Sequence, residues 1–121
     1  MRRTLLLLAT LTVTPTLGCS LLPGSTPCFD WTTSSPASAQ LRALGYQGGG
    51  PSFAAILTAY LQHEAPASLA ALSLDDEGDA LRVCGDSASL QVARNAMERL
   101  ERDPALLREM LAVAAASGEM E

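Results

Sequence analysis

The apolar positions of this chain change period several times along its length, and each change predicts an element. Cys28-Phe29-Asp30-Trp31-Thr32 alternates, with Phe29 and Trp31 on one face and Cys28, Asp30 and Thr32 on the other, which predicts a strand over 28–32. Pro36 then opens a short helix through Ala39, Leu41 and Leu44, stopped by Gly45. Gly48-Gly49-Gly50 breaks the chain, and Pro51 stands at a favourable first helical position. Phe53, Ile56, Leu57, Tyr60 and Leu61 follow at i, i+3, i+4, i+7 and i+8, a single stripe on a helix near 51–63 that ends before Pro66. Leu72 and Leu74 alternate with Ser73, the acidic run Asp75-Asp76-Glu77-Gly78-Asp79 turns the chain, and Leu81 and Val83 alternate with Arg82 and Cys84. That pattern predicts a β-hairpin near 72–84 with Gly78 in its turn.

Asp86 or Ser87 caps the next helix, near 87–102, with Leu90, Ala93, Met97 and Leu100 as its stripe and Arg94, Glu98, Glu101 and Arg102 on its outer face. Asp103-Pro104 ends it and begins another near 104–115, carrying Leu106, Leu107, Met110, Leu111 and Ala114 up to the stop at Gly118. Two amphipathic helices after a hairpin must bury their stripes, and the apolar face of a small antiparallel sheet is the available surface. The expected class is α+β, one domain over 28–117. If strand 28–32 pairs antiparallel with strand 80–84 so that Cys28 faces Cys84, then Asp30 falls opposite Arg82, and Phe29 and Trp31 share the other face with Leu81 and Val83. A single register then serves a disulfide, a charge pair and the core.

Ahead of this domain the composition changes. Met1-Arg2-Arg3 followed by the apolar run from Leu5 to Val13 reads as a secretory signal over residues 1–18, too short to cross a bilayer as a permanent helix. Thr16-Leu17-Gly18-Cys19-Ser20 resembles a bacterial lipobox, in which cleavage before the cysteine leaves Cys19 to carry lipid; an ordinary signal peptidase site near Gly18 or Ser20 is the alternative, and gives a periplasmic or secreted soluble protein. Residues 19–27, with two Pro and a Gly, read as a tether from the membrane surface. Ser20 after the cysteine resembles the signal for outer-membrane sorting where two membranes exist. The chain has three cysteines, and an odd thiol in an exported protein calls for an explanation. Lipidation of Cys19 supplies it, leaving Cys28 and Cys84 as a pair in an oxidising compartment. Two buried free thiols are the alternative for that pair.

Charge and the remaining residue types narrow the function. Eight Arg, with no Lys, face 13 acidic residues for a net charge of −5; Arg2 and Arg3 belong to the leader, so without it six Arg face the same 13 acids and the net is −7. Nucleic acid is excluded as a partner, because phosphate binding runs on clustered cations, and the acidic balance suits solubility or a basic protein. One His and two Cys 56 positions apart do not make a metal set. His63 has no nucleophile partner and no Gly-x-Ser-x-Gly elbow exists, so the reading is of a protein that is not an enzyme and needs no cofactor. The glycine run lacks the Lys and Ser/Thr of a phosphate loop, and the acidic run lacks the terminal Glu of a calcium loop.

Leu44-Gly45-Tyr46-Gln47-Gly48-Gly49-Gly50 followed by Phe53, then Leu74-Asp75-Asp76-Glu77-Gly78, then Leu100-Glu101-Arg102-Asp103-Pro104-Ala105-Leu106-Leu107, resembles the immunity protein 51 family of bacterial polymorphic toxin systems over roughly residues 41–112. Phe53 stands where that family tends to have Trp. The resemblance implies a small α+β protein that binds and neutralises a cognate toxin stoichiometrically. With export, it implies a toxin that acts in the envelope, or a family domain redeployed as a surface lipoprotein. A basic toxin would suit the acidic chain, with Asp75, Glu77 and Asp79 as candidate contacts. The other reading is a structural or assembly lipoprotein without a toxin partner, touching the membrane only through its N-terminal lipid.

Overall fold

A computed structural model describes residues 26–118 of the chain. The expected signal, the Cys19 expected to carry lipid, and the tether as far as residue 25 lie outside the described residues. Eight elements follow in order: β1 (Cys28–Thr32), α1 (Pro36–Ala43), α2 (Gly50–Glu64), α3 (Pro66–Ala70), β2 (Ser73–Glu77), β3 (Ala80–Cys84), α4 (Ser87–Arg102) and α5 (Pro104–Ala116). The arrangement is α+β. Helix starts follow local chemistry: the side chains of Ser35, Asp86 and Asp103 accept from the backbone N–H of Ser38, Ser89 and Leu106, so one orphan donor of each first turn is satisfied. Proline stands in the first turn of α1, α2, α3 and α5, where its missing N–H costs nothing.

The sheet has the order β1-β3-β2, so β3 is central and antiparallel to both neighbours. β1 pairs with β3 in the expected register, Cys28 against Cys84, Asp30 against Arg82 and Trp31 against Leu81. Phe29, Trp31, Leu81 and Val83 are buried on the face that the helices cover. Trp31 stacks on Phe53 of α2, ring centroids 4.4 Å apart and planes within 7°. Leu41, Leu57, Leu61, Leu100, Leu107 and Leu111 close the core from four helices.

The glycine run earns its place by close approach. Gly50 N–H donates to Gly78 O at 2.9 Å, and a Cβ on Gly49 or Gly50 would collide with the carbonyl of Gly78 or of Ala80. Gly48 has φ 74°, and its carbonyl accepts from the buried Ser38 hydroxyl at 2.7 Å, which in turn accepts from Arg42 Nη1 at 2.6 Å. The three glycines therefore seat the start of α2 under the β2–β3 hairpin on one side and against α1 on the other.

Three details differ from the sequence expectation. The acidic run is not all turn: Asp75, Asp76 and Glu77 belong to β2, and only Gly78 (φ 62°) and Asp79 link the strands. Alternation explains this, since Ser73, Asp75 and Glu77 point to solvent while Leu74 packs inward. α3 was not expected, because none of its five residues is buried and no stripe marks it. On α4 the outer face is not uniformly solvated: the Arg94 guanidinium lies over the Phe29 ring at 4.6 Å, and Glu101 accepts from Trp31 Nε1.

Two substitutions test this packing. Gly50→Ala is expected to lower stability by about 1–3 kcal/mol, the usual cost of overpacking, because the collision is with backbone; urea unfolding measures it. Ser52 is buried with its hydroxyl lacking a partner among the described residues. Ser52→Ala removes that unsatisfied group and is expected to leave stability unchanged or raise it by up to about 1 kcal/mol. A clear loss would mean that the hydroxyl is bonded.

Candidate functional site

Among the described residues, the sheet is covered on one face only. On the other, the register lines up three rows: Cys28, Cys84 and Ser73; Asp30, Arg82 and Asp75; Thr32, Ala80 and Glu77. Cys28 and Cys84 form a disulfide with Cα atoms 4.1 Å apart. Gly85 N–H donates to Pro27 O beside them, so the cysteines occupy a non-hydrogen-bonded pair, where facing residues approach most closely. They are not buried thiols: Cys28 is exposed and Cys84 half-buried. The bridge ties the first residue of an edge strand to the last residue of the central one.

Arg82 holds the middle row. Its Nε and Nη2 donate to Asp30 Oδ1 and Oδ2 at 3.0 and 3.3 Å, a two-pronged pair across β1 and β3. The hydrogen bond from Arg82 holds the Asp30 carboxyl below the usual aspartate range, and its counterpart holds the Arg82 guanidinium above its ordinary value, with Glu77 and Asp75 adding to the latter. The pair is open to solvent, so it orients the face more than it stabilises the fold. Asp75 and Glu77 have no ion pair among the described residues.

Charge is unevenly divided between the layers. Within residues 26–118 the three strands and the Gly78–Asp79 turn hold five carboxylates against Arg82 alone, whereas the helices and their caps hold six carboxylates against five Arg. The negative field of the domain therefore issues from the sheet side. Of the contacts expected from sequence, Asp75 and Glu77 stand together on the open face and Asp79 in the adjoining turn. Asp76, opposite the buried Leu81, falls outside this set at the sheet's edge. Asp30 joins them only through the pairing of strands distant in sequence.

His63 projects into solvent near the end of α2, 3.9 Å from Glu64. Among the described residues no three His, Cys, Asp or Glu side chains cluster as a metal set, and no helix is long and apolar enough to cross a membrane. A second concave feature went unread in the sequence. Between α2 and α4 an open groove of about 300 Å³ is lined by Tyr60, Leu61, Glu64, Asn95, Ala96 and Arg99 among others, with Arg99 Nη1 donating to Tyr60 Oη at 3.1 Å. Tyr60 fits the apolar stripe of α2, so its hydroxyl gave no signal of its own.

Acid titration tests the electrostatics of the sheet. The backbone N–H of Ser89 lowers Asp86 much as Arg82 lowers Asp30. A carboxyl depressed in the folded state contributes stability that is complete above its ordinary range and is lost as the pH falls through the lowered value. Stability is therefore expected to fall below the ordinary aspartate range. Carboxyl NMR should show Asp30 returning toward that range in Arg82→Gln while Asp86 stays low. An unmoved Asp30 would contradict the pairing.

Compared with known proteins, the chain matches no family model, no curated protein and no solved structure, so its likeness to the immunity protein 51 family rests on the three sequence segments alone.

Proposed function

We propose that this chain is an exported bacterial lipoprotein, anchored through Cys19, whose domain is an immunity-type module that neutralises a cognate toxin by stoichiometric binding and performs no catalysis. The observation that carries a binding role is the open sheet face: uncovered among the described residues, stapled by a disulfide, and the source of most of the domain's negative charge. Such a face suits a cationic protein surface, because complementary charge raises the rate of encounter and rejects acidic partners. Asp75 and Glu77, which Arg82 does not engage directly, are its readiest contacts, with Asp79 at the rim.

Stapling suits this role. Binding costs less when the face is already ordered, and the bridge fixes the two strands that present Asp30 and Arg82. The disulfide also fits an oxidising compartment, in agreement with the leader, and uses two of three cysteines, leaving Cys19 for lipid. The segments Leu44–Gly50, Leu74–Gly78 and Leu100–Leu107, which resemble the immunity protein 51 family, supply the class of partner.

Location and partner are tested separately. Cys19→Ala is expected to abolish membrane fractionation and lipid labelling; unchanged fractionation removes the anchor from the account. For the partner, co-expression with a multi-domain toxin encoded beside the gene is expected to rescue the cells. The exposed pair Asp75→Lys and Glu77→Lys should cancel rescue and weaken binding by roughly tenfold or more while leaving the fold intact. Absence of protection by the exported protein would turn the reading to docking on another envelope component.

A further inference from the structure

The groove between α2 and α4 lies in the helical layer, and its chemistry differs from that of the open sheet face. Its apolar lining is presented by the partly buried Ala65 and Val92, while Leu61 and Ala96 are almost wholly buried. At one end Tyr60 Oη accepts from Arg99 Nη1, and among the described residues the Tyr60 proton has no acceptor and Arg99 no carboxylate partner. The rest of the guanidinium fork is therefore available. Asn95, one turn before Arg99, accepts from Gln91 Nε2 through Oδ1 at 2.9 Å, which leaves its amide N–H groups as donors. Glu64 stands one turn, about 5.4 Å, beyond Tyr60 along α2, and among the described residues its carboxylate has only the exposed His63, at 3.9 Å on the same helix, as an ionic neighbour. Glu64 and Arg99 line the same groove from different helices without pairing.

We infer that this groove binds an aliphatic α-amino carboxylate, either the carboxy-terminal residue of a polypeptide or the free amino acid. The carboxylate lies on the Arg99 fork and the Tyr60 hydroxyl, a charge-assisted arrangement suited to a planar anion. The α-nitrogen, as an amide N–H or an ammonium, donates to Glu64. The side chain rests on Ala65 and Val92. A volume of about 300 Å³ is at the small end of ligand sites and holds one residue, not a cofactor. Glu64 turns away a phosphate, whose several negative oxygens would find no second cation there. The inference stands apart from export and toxin binding.

Titration of the purified ¹⁵N-labelled protein with N-acetyl-L-leucine tests it. Saturable shifts confined to the 60–65 and 92–99 stretches are expected, with a Kd in the millimolar range. N-acetyl-L-leucinamide, which lacks the carboxylate, should bind roughly tenfold more weakly, and Arg99→Gln should erase that difference while shifts elsewhere stay unchanged. Free L-leucine identifies the source: tighter binding than the acetylated form, lost in Glu64→Gln, marks the free amino acid, and equal or weaker binding marks a chain terminus. Acid and amide binding alike, or no saturable shift up to about 50 mM, well past the affinity expected for so small a ligand, overturns the assignment.

Discussion

A strand repeats every two residues, so sliding β1 by one position along β3 would turn Phe29 and Trp31 to solvent and press Cys28 and Asp30 into the helices. Everything else in the domain depends on that slip not occurring. The paired segments lie about fifty residues apart in the chain, and joining them carries a loop-closure cost that local contacts cannot offset. Four side-chain pairs in one ladder do so together. Phe29 and Trp31 meet Val83 and Leu81 on the covered face, Asp30 meets Arg82 on the open face, and Cys28 meets Cys84 at the end. The bridge would add on the order of 3–4 kcal/mol by restricting the unfolded chain.

With β1 held in register, the covered face organises the helices. Trp31 stacks on Phe53 of α2 and donates to Glu101 of α4, so one side chain of an edge strand contacts two helices that approach from different parts of the chain. Arg94 lies over Phe29 from the same helix. α2 can reach the sheet only because Gly49 and Gly50 present bare backbone to the hairpin. The inner face is thereby committed to packing, and the outer face is left as the surface on which the acidic residues collect.

Much of this was legible in the sequence, for identifiable reasons. Alternation at Cys28–Thr32 and Leu81–Cys84 announced faces as well as strands, and the matched order of cysteine, charge and aromatic residues picked the register. Asp86 and Asp103 with their following stripes, and Pro36 at the start of α1, marked helix starts, because such signals act over a few residues and need no tertiary partner. What escaped depends on distance. The strand character of Asp75–Glu77 was hidden by acidic side chains that ordinarily mark turns, and became favourable only with β3 alongside. Glu101 and Arg94 read as solvated charges until β1 supplied Trp31 and Phe29. The α2–α4 groove exists only where two helices meet, so neither helix's pattern contained it.

The central claim is that the open face of the sheet is the surface this protein uses, and that the helices serve mainly to hold it. Hydrogen–deuterium exchange of the protein alone and in complex with a toxin that it is shown to neutralise tests that claim most directly. The account predicts added protection over residues 28–32 and 73–84, with little change in α5. Protection centred on α5 or the outer surface of α2, with the sheet unchanged, would contradict it.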